Sequence, residues 1–262
     1  MATSPTELRA SSATAGLTPL PAKLPQLDGL HMKARYRADR RGGDFFDGVV
    51  AGPRVVFLLT DIAGRRAEAH PIAAEVQVIF RAKAQEIFEP STANESDGIA
   101  QLAWHLNRAI IDAAHGVRMA PAFVGCFNLS LGILTYHNAG LLAIFRDREG
   151  VRVLETGGIP MGLFTHLTYE PALLAFEPGA RLLLVTKGVS ERRRGSATFG
   201  GESIRRLVEN SNTDSASQIC DAVLQAAHEF RSHPLSRFYD FLHPRRRSEH
   251  DDLTALTLVR AG

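Results

Sequence analysis

Two helical patterns follow one another directly in the first half of this chain, between two groups of strand patterns. Apolar residues recur at helical spacing from Pro71 to Phe88 and again from about Gly98 to His115. Strand patterns precede this pair and dominate from Phe123 onward. A strictly alternating parallel α/β fold does not place two helices in succession. The order therefore predicts an α+β fold in which mainly antiparallel sheets pack face to face with helices outside.

The individual patterns predict most of the elements. Pro71 is expected to open the first helix, because its missing N–H costs nothing in the first helical turn. Trp104 is expected on the buried face of the second helix. Further helices are expected over Ile204–Asn210 and Ala216–Phe230. Strand patterns lie at 31–38, 40–52, 55–64, 123–132, 133–146, 151–155, 167–191 as two strands, and 251–260.

Composition places the chain among ordinary globular proteins. It has 262 residues, of which 45% are apolar and 22% charged, and a formal charge of +2. No apolar stretch approaches the roughly 20 residues that a membrane span needs, so we expect no membrane association. The clearest basic cluster, Arg245–Arg247, lies in a segment with Pro and His and is interpreted as a solvated loop. Nucleic-acid binding is therefore not expected.

The start of the chain and the cysteines bear on location. Residues 1–28 are rich in Ser, Thr, Ala and Pro and lack the apolar core of a signal peptide, which predicts a disordered leader before a single domain at 29–262. Cys126 and Cys220 lie in apolar contexts without CxxC spacing. They are interpreted as buried thiols in a reducing compartment, so we expect a cytoplasmic protein.

Acidic residues, or the positions where one is expected, stand beside glycine or at strand ends in four places. Carboxylates gathered by glycine-rich turns suit Mg²⁺ or Mn²⁺, since these hard cations take oxygen ligands. Any one such Asp is more often a turn or cap residue, so only the set carries weight. The four places are Gly42-Gly43-Asp44, Asp61-Ile62-Ala63-Gly64, Thr186-Lys187-Gly188 and Asp251-Asp252.

The order of these motifs resembles the PPM metal-dependent protein phosphatases, specifically the sporulation stage II protein E (SpoIIE-like) branch. The resemblance covers about Leu30 to Arg260 and includes several independent short motifs in the same order. The motifs are ARYRADRRGGDFFDG, LLTDIAGRR, YHNAGLLAIFR, TGGIPMGLF, FEPGARLLLVTKGVSE, Phe199-Gly200 and the terminal DDLTALTL.

The resemblance implies a four-layer α-β-β-α sandwich with a two-metal centre at one edge of the sheets. In that family two Mn²⁺ or Mg²⁺ ions activate a water that attacks a phosphoserine or phosphothreonine. Asp61 would bridge the ions and the Ile62 carbonyl would complete one of them. Asp44 would lie at the centre directly or through water, and Asp251 would bind the second ion. Asp252, the adjacent residue, is the weaker candidate ligand.

Lys187 departs from this pattern. The family motif is Thr-Asp-Gly-Val, whereas this chain has Thr186-Lys187-Gly188-Val189. An ammonium in place of a carboxylate opposes a bound cation by about 4 kcal/mol at 4 Å and an effective dielectric of 20. Two orientations stay open: an internal ion pair with Asp61 and Asp251, or an outward side chain that leaves a weakened site, so one ion or none is expected.

Two smaller departures from the family pattern accompany Lys187. Leu141 stands where the family usually has His after Asn-Ala-Gly, and Arg65 and Arg66 replace the second glycine of the turn after Asp61. An arginine there is a candidate phosphate contact. His70 and His137 are assigned no catalytic role, since a lone histidine is usually structural.

Two functions therefore stay open. The first is a serine/threonine phosphatase with impaired activity, which acts on a phosphorylated regulatory protein such as an anti-sigma factor antagonist. The second is an inactive pseudophosphatase that binds a phosphoprotein without turning it over. Lys187 separates the two, because function depends on the site and not on the fold.

Overall fold

The structure, a computed structural model, describes residues 18–22, 24–38, 42–155, 157–194, 196–231 and 251–262. The elements in chain order are β1 (Leu30–Arg37), β2 (Asp44–Ala51), β3 (Arg54–Asp61), α1 (Arg66–Phe88), α2 (Glu95–Ala113), β4 (Ala122–Asn128), β5 (Ile133–Ala139), β6 (Leu142–Asp147), β7 (Gly150–Leu154), β8 (Ala172–Ala175), β9 (Arg181–Val185), α3 (Lys187–Ser190), β10 (Arg193–Arg194), β11 (Ala197–Thr198), α4 (Gly200–Glu209), α5 (Ala216–Arg231) and β12 (Leu253–Arg260).

Most strands belong to two five-stranded sheets. One sheet has the order β1-β12-β9-β6-β7 and the other has the order β2-β3-β4-β5-β8. Neighbouring strands in both sheets run antiparallel. The first strand thus pairs with the last one, while β2 and β3 form a hairpin.

Three apolar cores separate four layers. In β3, Val55, Phe57 and Leu59 pack between the two sheets. Val56 and Leu58, on the opposite face of β3, pack against α1 and α2. A third core joins β6, β9 and β12 to α4 and α5. Because both faces of the central strands are covered, they read as continuous apolar runs, and the predicted α-β-β-α sandwich is confirmed.

The stretch 133–146, which reads as one strand pattern, forms two strands. Gly140 has a φ of 101°, a left-handed conformation that glycine adopts without strain. The turn at Gly140 moves the chain from β5 in one sheet to β6 in the other.

The helix pair differs from the sequence prediction in two details. α1 begins at Arg66, because the N–H groups of Glu68 and Ala69 already donate to the Arg65 carbonyl. Pro71 lies inside the helix, so the prediction that it opens the helix is wrong. The prediction that Trp104 is buried is also wrong: its side chain is 46% exposed. The buried stripe of α2 runs instead through Leu102, Ala103, Leu106 and Ile110.

Part of the expected leader is described and contacts α1. The Leu20 N–H donates to Gln77 Oε1 at 2.7 Å, and Gln77 Nε2 donates to the Leu20 carbonyl at 3.1 Å. Residues 1–17 and 23 of the expected leader, and the expected solvated loop with Arg245–Arg247, lie outside the described residues. Of the helices that are described, none combines the length and the apolar character needed to cross a membrane.

Candidate functional site

The acidic strand ends singled out in the sequence lie at one end of the sandwich. In one sheet β2 begins where β3 ends, since Asp44 pairs with Asp61 in the antiparallel register. In the other sheet β9 ends beside the start of β12, where Val185 pairs with Ala255. The Thr186 hydroxyl, directly after β9, donates to Asp44 at the start of β2, so the ends of the two sheets meet. We call Asp44, Asp61, Asp251 and Asp252 the acidic cluster.

Asp44 is held by the opposite sheet. Its Oδ2 accepts hydrogen bonds from the hydroxyls of Thr186 at 2.7 Å and Thr254 at 2.6 Å. Burial and the neighbouring charge of Asp61 raise the pKa of Asp44 well above its usual range, while the two hydroxyl donors lower it. The carboxylate of Asp44 therefore joins the two sheets at the edge of the site.

Asp61, at the end of β3, is the centre of the cluster. Burial first, and then the charge of Asp251, raise the pKa of Asp61 to about 6. The ammonium of Lys187 and a backbone hydrogen bond from Lys187 act in the opposite direction. A bound cation would relieve the repulsion between the neighbouring carboxylates of this mostly buried site.

Lys187 opens the short helix α3, and its ammonium lies near a glutamate of the following turn. Its Nζ lies 4.0 Å from Glu191 Oε1, one helical turn later, and its side chain is 32% exposed. No acidic group of the cluster lies within the 4.0 Å of an ion pair with this ammonium in the part of the chain that the structure describes. The side chain thus follows the outward alternative, although its charge still reaches Asp61.

The two neighbouring aspartates at the start of β12 differ sharply. Asp251 is exposed, whereas the side chain of Asp252 is only 1% exposed. The Tyr36 hydroxyl donates to Asp252 Oδ2, and Arg66 lies 3.6 Å from Asp252 Oδ1. Arg66 also donates to the Tyr36 hydroxyl at 3.2 Å. Burial, followed by the hydrogen bond and charge of Asp252, raises the pKa of Tyr36.

Two glycines bring these segments into backbone contact. A side-chain carbon on Gly43 would lie 1.8 Å from the Ile62 carbonyl oxygen, and the Ile62 N–H donates to the Gly43 carbonyl at 2.9 Å. A side-chain carbon on Gly188 would lie 1.9 Å from the Asp252 carbonyl oxygen. The glycines of these motifs therefore let two protein backbones approach each other.

The residues present do not fit a two-metal centre. Within the described ranges, no group of three or more His, Cys, Asp or Glu side chains is arranged to hold a metal ion. Asp44 is engaged by two hydroxyls and Asp252 by Tyr36 and Arg66. At the position of the missing carboxylate, Lys187 brings a positive charge.

The other candidates are distributed around the cluster. Arg65 is exposed ahead of α1, whereas Arg66 is tied to Asp252. His70 is partly buried within α1, and His137 is buried on β5, where its ring meets Tyr169 edge-on. Sequence reasoning missed Tyr36, Thr186 and Thr254. Thr186 and Thr254 could have been found from the sequence, because each stands in or next to one of the acidic motifs.

Comparison with known proteins gives a consistent result. The profile of the family described as stage II sporulation protein E (SpoIIE) matches residues 51–260. Protein IcfG of Synechocystis sp. is 26% identical over 230 residues, which covers 79% of this chain and 36% of IcfG. This chain therefore spans about a third of the length of that relative.

Solved structures share the fold at low identity. The PP2C phosphatase domain with a regulatory fragment of the cell fate determinant SpoIIE from Bacillus subtilis superposes with a TM-score of 0.67 at 14% identity, covering 88% of this chain and 63% of that one. The catalytic domain of the serine/threonine phosphatase PstP, solved with 2 manganese ions, superposes with a TM-score of 0.58 at 12% identity, covering 89% and 99%. At these identities the likeness shows the fold.

Proposed function

Because this chain belongs to the stage II sporulation protein E family, we propose that it is a PP2C-type serine/threonine phosphatase domain with impaired hydrolysis. Its target is a phosphoserine or phosphothreonine of a bacterial regulatory protein, such as an anti-sigma factor antagonist. Arg66 is a proposed phosphate contact because it lies 3.6 Å from Asp252 Oδ1, and Arg65 is proposed because it directly precedes Arg66 and is exposed. The buried thiols of Cys126 and Cys220 support a cytoplasmic location.

The position of Lys187 carries this proposal. Asp44 pairs with Asp61 across the β2–β3 ladder and the charge of Asp251 acts on Asp61, but the position at which the family has a further carboxylate carries an ammonium. Mn²⁺ or Mg²⁺ would therefore bind weakly, with Asp61, Asp44, Asp251 and the Ile62 carbonyl as its candidate ligands. The side chain of Lys187 leans toward Glu191, so it does not block the cluster and some activity remains.

A second function is favoured by a different observation. Asp44 is held by two threonine hydroxyls and Asp252 by Tyr36 and Arg66, and carboxylates engaged by the protein itself are expected of a phosphoprotein-binding module that has lost hydrolysis. The two functions share the fold and the partner and differ only in turnover.

The test is hydrolysis of p-nitrophenyl phosphate in MnCl₂ by the wild type, Lys187→Asp and Asp61→Asn. We expect slow wild-type turnover, faster turnover in Lys187→Asp and none in Asp61→Asn. Turnover that appears only in Lys187→Asp would establish the binding module instead. Wild-type turnover as fast as that of Lys187→Asp would overturn the proposal that position 187 limits the reaction.

A further inference from the structure

Lys187 links the acidic cluster to a groove of about 580 Å³, because it is one of the residues that line the groove. The Lys187 backbone and ammonium act on Asp61, while its side chain lines the groove. Leu141 lines the groove as well. The groove is therefore lined by two of the positions at which this chain departs from the family pattern.

The floor and rim of the groove differ in character. The floor is lined by apolar residues at the start of β6 and the end of β7, Leu141, Leu142, Val153 and Leu154, of which Val153 is exposed whereas Leu141 and Leu154 are buried in the core between the sheets. Two exposed carboxylates, Glu155 and Glu191, form the rim with Lys187. One ammonium against two carboxylates leaves the rim with a net negative charge. An apolar side chain followed by a basic one matches this surface.

The groove also lies at the edge of a sheet. β7 is the last strand of its sheet, and in the described part of the chain no strand pairs with its outer edge. Val153 of β7 is 45% exposed toward solvent. Backbone groups at a sheet edge can pair with an added extended segment, whose side chains then enter the neighbouring pocket.

We propose that this groove binds the residues that flank the phosphorylated side chain of the partner protein. The bound segment is extended, places an apolar side chain against Val153, and directs a Lys or Arg side chain to Glu155 and Glu191. Its phosphorylated residue then lies beyond Lys187, at the acidic cluster. This inference rests on the proposed function and specifies the sequence that the site selects.

The test uses short synthetic phosphoserine peptides in which phosphoserine is followed by Leu-Lys, Leu-Glu or Ser-Lys. Their affinity for the full chain is measured by fluorescence anisotropy with EDTA present, so that hydrolysis does not interfere. We expect the Leu-Lys peptide to bind about fivefold more tightly than the Leu-Glu peptide, the range of a partly exposed ion pair. We also expect it to bind several-fold more tightly than the Ser-Lys peptide.

Three variants decide the assignment. Glu155→Lys should remove or reverse the preference for Lys over Glu, and Val153→Ser should remove the preference for Leu over Ser. Glu149→Lys, an equal charge change at a side chain that is 88% exposed and lies outside the groove lining, should leave both preferences intact. Equal binding of all peptides by the wild type, or unchanged preferences in Glu155→Lys, would overturn the proposal.

Unphosphorylated copies of the same peptides separate this inference from the proposed function. If they show the same order of affinity at the same strength, the groove proposal stands and phosphate recognition fails. If phosphorylation strengthens binding but the flanking residues have no effect, the groove proposal fails and the proposed function stands.

Discussion

Asp44 and Asp61 face each other across the β2–β3 ladder, yet Asp44 is held by hydroxyls from the other sheet. The acidic cluster is therefore also a joint between the sheets. Any change to its partners should alter the stability of the fold as well as the site.

Removing one hydroxyl donor should expose this double role. Thr254→Val keeps the side-chain shape but removes a 2.6 Å hydrogen bond to a buried carboxyl group. We expect the free energy of unfolding, measured in urea, to fall by about 2 kcal/mol. Thr257→Val, also buried on β12 but paired with the Cys220 thiol at 3.1 Å, should cost clearly less. An equal loss in the free energy of unfolding of Thr254→Val and Thr257→Val would show that the hydrogen bond to Asp44 adds no special stability.

Gly188 should tolerate no side chain. The Gly188→Ala methyl group would lie 1.9 Å from the Asp252 carbonyl oxygen and 3.2 Å from Asp251 Cβ, so the start of β12 must move. We expect a loss of about 3 kcal/mol in the free energy of unfolding, at the upper end of the cost of overpacking.

Gly157→Ala is the matched control for Gly188→Ala, because its nearest contact would be 3.9 Å away. It should change the free energy of unfolding by less than about 1 kcal/mol. A Gly188→Ala protein as stable as this control would contradict the close approach of the two backbones.

Lys187→Asp should make stability depend on metal. The substitution adds a carboxylate next to Asp61 and removes the ammonium that offsets its charge, so the variant should have a lower Tm than the wild type in EDTA. MnCl₂ at about 100 times its Kd should raise the free energy of unfolding of the variant by about 2.7 kcal/mol. Differential scanning fluorimetry with and without MnCl₂ measures both effects.

A lysine outside the site provides the control variant for this measurement. Lys83→Asp on α1 removes an ammonium whose partner is Glu86, at 2.7 Å, and should leave the response to MnCl₂ unchanged. A wild type stabilised by MnCl₂ as strongly as Lys187→Asp would show that the lysine does not interfere with metal binding.

The sequence predicted the layers of the fold well, because the burial of each strand depends on local patterns. Apolar runs mark strands that are covered on both faces, and the glycines beside Asp44 and Lys187 mark sites of close backbone approach. These signals are carried by neighbouring residues and need no knowledge of the sheet order.

The partners of the acidic residues could not be predicted in the same way. Tyr36 reaches Asp252 only because the first strand pairs with the last, and no local pattern specifies that pairing. The outward turn of Lys187 had a local signal: Glu191 stands four residues later, the spacing of an ion pair on a helix. Recognising it required knowing that the chain becomes helical at Lys187.

His137 gives the fold a predicted sensitivity to acid. Burial lowers its pKa below the usual 6.5, and its Nε2 is buried without a hydrogen-bond partner among the described residues. Between its folded and unfolded pKa values the unfolded chain binds more protons than the native one. The contribution of His137 to stability is therefore fully present above about pH 6.5 and is lost as the pH falls toward the folded pKa.

Urea unfolding over this pH range tests the role of His137. The urea midpoint of the wild type should decrease as the pH falls, and His137→Gln should flatten this decrease. His166→Gln, at an exposed position, should keep the wild-type slope, and an unchanged slope in His137→Gln would assign the acid sensitivity to other groups.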